Sequence, residues 1–372
     1  MAGTDGGDGI RANAVIHARQ APPCKILRLY GRFSMKGNAF SMKGNTIYDI
    51  AKIADVSPST VSRVINGNPR VSKTTRERIR KIIDECHYVP NEAARGLVTQ
   101  SSRLVGILIS DIRLTHHADG VYYVERELMR SGYCCLILNT GVEEQEYVRY
   151  IQMLSQRKAE AVVLMGSIYQ TATMQQAIET YLPNTPILFC NGYLDLPNVY
   201  GVIADEQFGI VNCVQLLAQK GKRCPAFIMD RQTPSNLAKR QGFEYAALRF
   251  LHQDAPLVSQ TDRTRHGAYA ATQQLLQAHP EVDGIIYSDD ALAAVGMRAL
   301  LDMDRRIPED VAVIGVNNSF FAELCTPRLT SLDNMLYDQS LTAVRTLRTV
   351  LAGEHANRRV MICSEIIERE ST

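Results

Sequence analysis

This sequence of 372 residues lacks long apolar runs and export signals. A membrane-spanning helix needs about 18 or more consecutive apolar residues, and no stretch approaches that length. The beginning of the sequence also lacks the apolar segment that a secretory signal contains. We therefore expect a cytoplasmic protein with no membrane partner.

The sequence also lacks cysteine pairs with redox or metal-binding spacing. Its nine cysteines are scattered, form no CxxC pair and are odd in number, which favours free thiols in a reducing compartment. Cys134 and Cys135 are neighbours on a predicted strand. Successive side chains on a strand point to opposite faces, so we do not expect these two cysteines to form a redox pair.

Signatures of catalysis are absent as well. The sequence contains no GxSxG, HExxH, GK[S/T] or GxGxxG motif, so we expect neither an enzyme nor a bound cofactor. Asp289 and Asp290 form the one acidic pair that merits a test. We interpret this pair as a hydrogen-bonding group for a ligand and a helix N-cap.

Charge is distributed unevenly along the chain, although the formal net charge is only +2. Residues 46–103 carry ten Lys/Arg and six Asp/Glu, a net charge of +4, whereas residues 104–372 carry a net charge of −7. The remaining +5 lies in residues 1–45. The basic part is the predicted nucleic-acid face.

The first 45 residues have no periodic apolar pattern, and we expect them to be disordered. They contain a tandem copy, FSMKGNA at 33–39 and FSMKGNT at 40–46. Because Met42 stands four residues before the first helix cap, translation is expected to begin there. The alternative is a basic arm that grips phosphates.

Three short helices are predicted after this segment, each opened by a hydroxyl residue that satisfies unpaired backbone amides. Thr46 caps the first helix, with Asp49 completing a capping box. Ser57 caps the second helix, and Pro58 occupies its first position. Ser72 caps a third helix that runs to about His87. Helices this short must share one core.

A short, glycine-interrupted helical segment follows at 91–97, and a polar linker runs to Arg103. Nucleation cost and an interior glycine, which costs about 1 kcal/mol, make such a helix marginal in water. We therefore predict a hinge that orders only against DNA or a partner copy.

From Leu104 onward, short apolar runs alternate with helical patterns, and the rhythm repeats after Asp205. Two similar halves predict two lobes with parallel sheets. Ligands of such sheets bind beyond the carboxyl ends of the strands, so we expect a binding site in the cleft between the lobes.

Residues 48–97 read YDIAKIADVSPSTVSRVINGNPRVSKTTRERIRKIIDECHYVPNEAARGL. This run closely resembles the headpiece of the lactose/galactose/purine-repressor family, and looser family features continue to about Asp333. The resemblance implies an N-terminal all-α helix-turn-helix headpiece and an α/β periplasmic-binding-protein-like core of two parallel-sheet lobes. It also implies a homodimer, in some members a tetramer, bound to a near-palindromic DNA operator in the nucleoid and controlled by a small effector.

The predicted domains follow from this resemblance. They are a disordered extension at 1–45, a helix-turn-helix domain at 46–90, a hinge helix and linker at 91–103, and a two-lobed effector-binding and dimerisation domain at 104–372.

The outer face of the second helix carries the expected DNA contacts. Arg63 is the best base reader because its planar fork matches guanine O6 and N7. Pro58 and Ser59 occupy the two family positions that vary with operator sequence. The expected phosphate contacts, which position the protein without specifying sequence, are Thr46, Ser57, Thr60, Ser62 and Asn66. In the family a hinge leucine wedges into the minor groove, and Leu97, after Ala94, takes its place here.

The expected effector contacts come from family positions that line the cleft. They are His116, Asn191, Ser235, Lys239, Arg240, Asp289, Asn317 and Asn334. The family pattern has an arginine three residues before a Gly-aromatic pair, whereas this chain has Lys239 there and Arg240 next to it. Either cation is a candidate for holding a polar ligand, and a sugar is the expected class. Three alternatives are open for His116 and His117, namely contact with the effector, metal binding or a place on a surface loop. Because no carboxylate or cysteine stands at a matching spacing, we predict no metal site.

The sequence leaves three alternatives to a repressor controlled by a sugar. The first is a binding protein of the periplasmic type, which would share the core. The predicted headpiece and the lack of an export signal both argue against it. A ligand-binding module without DNA specificity is a second possibility. Within the regulator class, activation in place of repression, or control by a phosphoprotein partner in place of a sugar, also stays open.

Overall fold

The computed structural model describes residues 46–89, 101–262 and 264–372. These residues fall into two compact units that divide between residues 90 and 91. The predicted hinge contacts Ala94 and Leu97, and the predicted extension at 1–45, lie outside the described residues.

The first unit is a three-helix bundle. Its helices are α1 (Ile47–Ile53), α2 (Pro58–Ile65) and α3 (Lys73–Glu85). They share one apolar core, made of Ile50, Ala51, Ala54, Val61, Val64 and Ile79. The short helices bury one face each against this core, which supplies the stability that isolated helices of this length lack in water.

The predicted caps are confirmed. Thr46 and Asp49 form a reciprocal capping box at the start of α1. The Ser57 side chain accepts a hydrogen bond from the amide of Thr60, with Pro58 in the first turn of α2, and Ser72 caps α3.

Arg76 on α3 does not point into solvent, although the basic residues of this helix alternate with its apolar face and were expected to be solvent-exposed. Its guanidinium donates to the carbonyl of Asn68 at 2.9 Å and to that of Val71 at 3.3 Å. Arg76 therefore holds the loop between α2 and α3 against the bundle.

The second unit contains two lobes, each built on a mainly parallel sheet. Its strands are β1 (Leu104–Ile109), β2 (Cys134–Asn139), β3 (Ala161–Met165), β4 (Ile187–Cys190), β5 (Val199–Ala204), β6 (Pro225–Met229), β7 (Leu257–Gln260), β8 (Gly284–Tyr287), β9 (Ala312–Val316), β10 (Thr330–Asp333), β11 (Arg359–Ile362) and β12 (Glu365–Ile367). Its helices are α4 (Thr115–Arg130), α5 (Glu144–Gln156), α6 (Ala172–Tyr181), α7 (Glu206–Gln219), α8 (Pro234–Leu251), α9 (Arg265–Ala278), α10 (Asp290–Asp302), α11 (Phe320–Leu324) and α12 (Leu336–Leu351). The predicted alternation of strands and helices is confirmed.

Each lobe is built on a six-stranded sheet. The N-lobe sheet has the order β11-β5-β4-β3-β1-β2, and the C-lobe sheet has the order β12-β10-β9-β8-β6-β7. The strands are parallel except for β12, which pairs antiparallel with β10. Helices cover both faces of such sheets, so strands such as β3 and β9 are buried along their whole length.

The chain passes between the lobes three times. It crosses after β5, after β10 and after β11, so the C-terminal segment returns to the N-lobe for α12 and β11 before it ends in the C-lobe. The three crossings place Glu206, Asn334 and Ser364 at the junction of the lobes. Among the described residues, no helix is long and apolar enough to cross a bilayer.

Candidate functional site

The outer face of α2 is the first candidate. Val61 and Val64 are buried and fix the orientation of the helix, while Ser59 and Arg63 are exposed on the other side. Residues four apart on a helix are neighbours, so Ser59 and Arg63 form one polar surface. Asn66, which follows the last residue of α2, is also exposed.

The hydroxyl groups near α2 hold the backbone in place. Ser57 Oγ lies 3.3 Å from the amide nitrogen of Thr60 and 2.8 Å from Ser59 Oγ. The Asn66 amide donates to Ser62 Oγ at 3.4 Å. These groups keep hydrogen-bonding capacity for a further partner, because a hydroxyl can accept two hydrogen bonds and donate one.

Thr46 is a poorer candidate for a phosphate contact. Its hydroxyl donates to the Asp49 carboxylate at 2.7 Å. Hydrogen bonds from the Thr46 side chain and backbone lower the pKa of Asp49, so a negative charge stands beside the hydroxyl.

Tyr48 on the same helix was not among the expected contacts, although its side chain is 72% exposed. Tyr48 lies outside the buried face of α1, so the apolar pattern of the helix gives no signal for it.

The inter-lobe cleft is the second candidate. It lies where the carboxyl ends of strands from both lobes meet, as expected for parallel sheets. Six of the predicted effector contacts line it, namely His116, Asn191, Ser235, Lys239, Asp289 and Asn317. Other polar lining residues are Ser110, His117, Ser167, Glu206, Asp230, Arg231, Thr233, Asn236, Ser288 and Gln339.

Two predicted contacts, Arg240 and Asn334, do not line the cleft. Arg240 pairs with Glu244 at 2.7 Å on the partly exposed side of α8. Asn334 is only 1% exposed and lies behind the cleft wall, where its amide donates to Glu206 Oε1 at 3.1 Å and to Asn317 Oδ1 at 3.0 Å. Of the two adjacent cations, the cleft therefore receives Lys239 alone.

A buried ion pair forms part of the cleft wall. Lys239 Nζ lies 2.8 Å from Glu206 Oε1, and both residues are only 4% exposed. Burial alone would raise the pKa of the Glu206 carboxyl, but the Lys239 ammonium and hydrogen bonds from Lys239, Ser235 and Asn191 hold that pKa below its ordinary value. The Glu206 carboxylate is therefore ionised at neutral pH.

The acidic pair at the start of α10 has two separate roles. Asp289 is the N-cap, accepts the amide of Ala291 at 2.8 Å, lines the cleft and accepts the Asn317 amide at 3.2 Å. Asp290 is buried away from the cleft and accepts the Ser331 hydroxyl and the Ser319 amide, each at 2.6 Å. Asp290 therefore fastens the C-lobe interior.

Burial makes Asp290 a source of pH-dependent stability. Desolvation raises its pKa from 3.8 to about 7, although the hydrogen bonds from Ser331 and Ser319 oppose the rise. A raised carboxyl pKa favours the protonated folded state, so this contribution to stability is complete below pH 3.8 and is lost as the pH rises through about 7.

We expect the Asp290→Asn variant to lose this pH dependence. The amide oxygen can still accept from the Ser319 amide and the amide nitrogen can donate to Ser331 Oγ, while no charge has to be buried. Chemical denaturation of both proteins at several pH values between 4 and 8 measures the effect. The free energy of unfolding of the variant, relative to that of wild type, should rise with pH; parallel curves would contradict the role of Asp290.

The two histidines lie in the first turn of α4 and both line the cleft. The alternative that placed them on a surface loop is therefore wrong. Within the described ranges, no group of three or more His, Cys, Asp or Glu side chains is arranged to hold a metal ion.

Seven buried polar residues of the cleft were missed from the sequence. They are Ser110, Ser167, Glu206, Asp230, Asn236, Ser288 and Gln339. Asp230 directly follows β6 and Ser288 directly follows β8, while Glu206 comes shortly after the end of β5. The rule that parallel strands present ligand groups at their carboxyl ends would have found these three.

Comparison with known proteins places the chain. Residues 46–91 match the family model of bacterial regulatory proteins of the lacI family, and residues 214–372 match a periplasmic binding protein-like domain. An HTH-type transcriptional regulator of Lachnoclostridium phytofermentans is 31% identical over 329 residues, which cover 88% of this chain and 99% of the relative.

Solved structures agree with the fold. A complex of the transcriptional regulator CelR with cellobiose matches with a TM-score of 0.65 and 27% identity over 88% of this chain and 100% of that one. The Lac repressor dimer bound to operator and an anti-inducer matches with a TM-score of 0.81 and 21% identity, over 88% of this chain and 99% of that one. The chain belongs to the LacI family of DNA-binding transcriptional regulators.

Proposed function

We propose that the chain is a repressor that binds a near-palindromic operator as a homodimer, and that a small sugar in the inter-lobe cleft modulates this binding. The observation that carries the proposal is the exposed Ser59 and Arg63 surface of α2, held in a fixed orientation by caps and by a buried core. A helix with one face fixed and a polar face exposed is the element that enters the major groove in helix-turn-helix proteins.

Base reading falls to the exposed face. Arg63 presents five donors in a planar fork, and Ser59 and Pro58 lie one turn earlier on the same helix. The phosphate contacts belong to the groups around the ends of α2, namely Ser57, Thr60, Ser62 and Asn66. Ala94 and Leu97 remain the proposed minor-groove contacts of the hinge.

The proposed homodimer accounts for a near-palindromic operator. Two copies related by a two-fold axis present two α2 helices in opposite senses, so the two DNA half-sites must be inverted repeats. The spacing between the half-sites is then set by the dimer.

A sugar suits the polar lining of the cleft. Side-chain amides, hydroxyls and carboxylates from both lobes converge there, and each sugar hydroxyl needs both a donor and an acceptor. CelR, the solved relative named above, was determined with cellobiose. A ligand that contacts both lobes stabilises one arrangement of the lobes, and the ordering of the hinge on DNA is the proposed output.

Selection from random duplexes tests the DNA-binding part. Full-length protein is incubated with a pool of random duplexes at one fixed salt concentration, because affinity for DNA depends steeply on salt, and the retained DNA is sequenced. We expect an inverted repeat. Recovery without any sequence preference would contradict the proposal and favour a ligand-binding module without DNA specificity.

A further inference from the structure

The positive charge of Lys239 in the cleft wall is balanced by a carboxylate of the protein itself. Lys239 Nζ contacts Glu206 Oε1 at 2.8 Å and donates to Ser235 Oγ at 2.7 Å. Both members of the ion pair are buried. Its positive charge is therefore balanced before any ligand enters the cleft.

Several groups hold the Glu206 carboxylate in this position. The Asn191 amide, at the end of β4, lies 3.3 Å from Oε1, and the Asn334 amide, after β10, lies 3.1 Å from the same oxygen. Asn334 in turn accepts the Ser364 hydroxyl at 3.0 Å, so all three chain crossings between the lobes take part. A carboxylate held by this many donors cannot turn away to make room for an anionic ligand.

The remaining charges of the cleft do not favour an anion. The lining contains three acidic side chains, Glu206, Asp230 and Asp289, and two basic ones, Lys239 and Arg231. Arg231 directly follows the buried Asp230 and is itself only partly buried. Three acidic against two basic side chains leave a formal excess of one acidic group in the lining. Burying an anion without a compensating cation is costly.

We infer that Glu206 determines the class of effector: by neutralising Lys239 it reserves the cleft for an uncharged polyol and excludes phosphorylated or carboxylated sugars. This inference rests on the proposed function only in that the cleft is the effector site. Removing the negative charge of Glu206 should leave Lys239 as an unbalanced buried cation that recruits an anion.

Glu206→Gln is the decisive variant. The contacts from Lys239, Asn191 and Asn334 all reach Oε1, so the glutamine oxygen can keep each of these donors while the charge is lost. Glu244→Gln is the matched control, because it makes the same replacement in the partly exposed pair with Arg240 outside the cleft. The probe is inorganic phosphate, titrated at constant ionic strength against the thermal unfolding of each full-length protein.

Phosphate is expected to raise the Tm of Glu206→Gln and to leave the Tm of wild type and of Glu244→Gln unchanged. The apparent Kd of Glu206→Gln for phosphate should lie roughly tenfold or more below the lowest Kd that is compatible with the flat wild-type titration, because one full charge changes in a buried site. Equal phosphate responses of folded Glu206→Gln and wild type would overturn the inference.

Wild-type protein provides a second measurement that does not need the variant to fold. Neutral sugars are compared with their uronate and phosphate counterparts by the same thermal assay. Stabilisation of wild type by the anionic forms equal to or greater than that by the neutral forms would overturn the inference, whereas stabilisation by neutral forms alone supports it. Neither assay contains DNA, so failure of the operator selection and failure of this inference are distinguishable.

Discussion

Arg63→Ala is expected to bind the selected operator 10- to 100-fold more weakly than wild type and to lose its sequence preference at one base pair of each half-site. The loss corresponds to about 1–3 kcal/mol of binding free energy. The reason is that Arg63 is exposed on the outer face of α2, while its helix neighbour Val64 is buried and fixes the helix in place. Removing the side chain therefore removes a base contact and leaves the bundle intact.

Arg63→Lys separates base reading from charge. Lysine keeps the attraction to phosphates but cannot reproduce the planar, bidentate fork. We expect this variant to retain most of its affinity for nonspecific DNA and to lose discrimination at the same base pair. Fluorescence anisotropy on the operator and on single-base variants, at fixed salt, measures both quantities. A uniform loss of affinity across all base variants would show that Arg63 contacts only phosphate.

Lys239→Met is expected to destabilise the second unit by about 3–5 kcal/mol, because it leaves the Glu206 carboxylate buried without its cation. Methionine fills much of the volume of the lysine stem, so the loss reports chiefly on charge. Arg240→Met is the control on the same helix. Its partly exposed pair with Glu244 should contribute no more than about 1 kcal/mol.

Denaturant-induced unfolding of the full chain measures both variants. The transition of the second unit is followed, because this unit contains the buried pair. A loss in Lys239→Met as small as that in Arg240→Met would mean that Asn191 and Asn334 suffice to stabilise the carboxylate. The ion pair would then have no structural role.

Much of the fold could be predicted from local patterns. Strands such as β1 and β3 are continuous apolar runs, and the caps at Thr46, Ser57 and Ser72 mark three helices directly. The C-terminal strands could not be predicted in this way. β11 alternates between exposed and half-buried positions at the edge of the N-lobe sheet, and it pairs with β5, which lies far earlier in the chain. Nothing local specifies such a pairing.

The cleft shows a similar division. The sequence identified Lys239 and Arg240 as candidates without deciding between them. The pattern of α8 contains the answer, since Asn236, Lys239 and Phe243 recur at helical spacing on its buried side. The role of Glu206 depends on the meeting of three distant segments at the junction of the lobes. Spacing along the chain carries no signal for that arrangement.

Coupling between the cleft and the operator can be measured by one linked pair of titrations. Operator affinity is measured with and without each member of a panel of neutral mono- and disaccharides, and affinity for any active sugar is measured with and without operator. We expect one sugar to change operator affinity, and the operator to change affinity for that sugar by the same factor. A sugar that binds the cleft equally well in free protein and in the operator complex would contradict it.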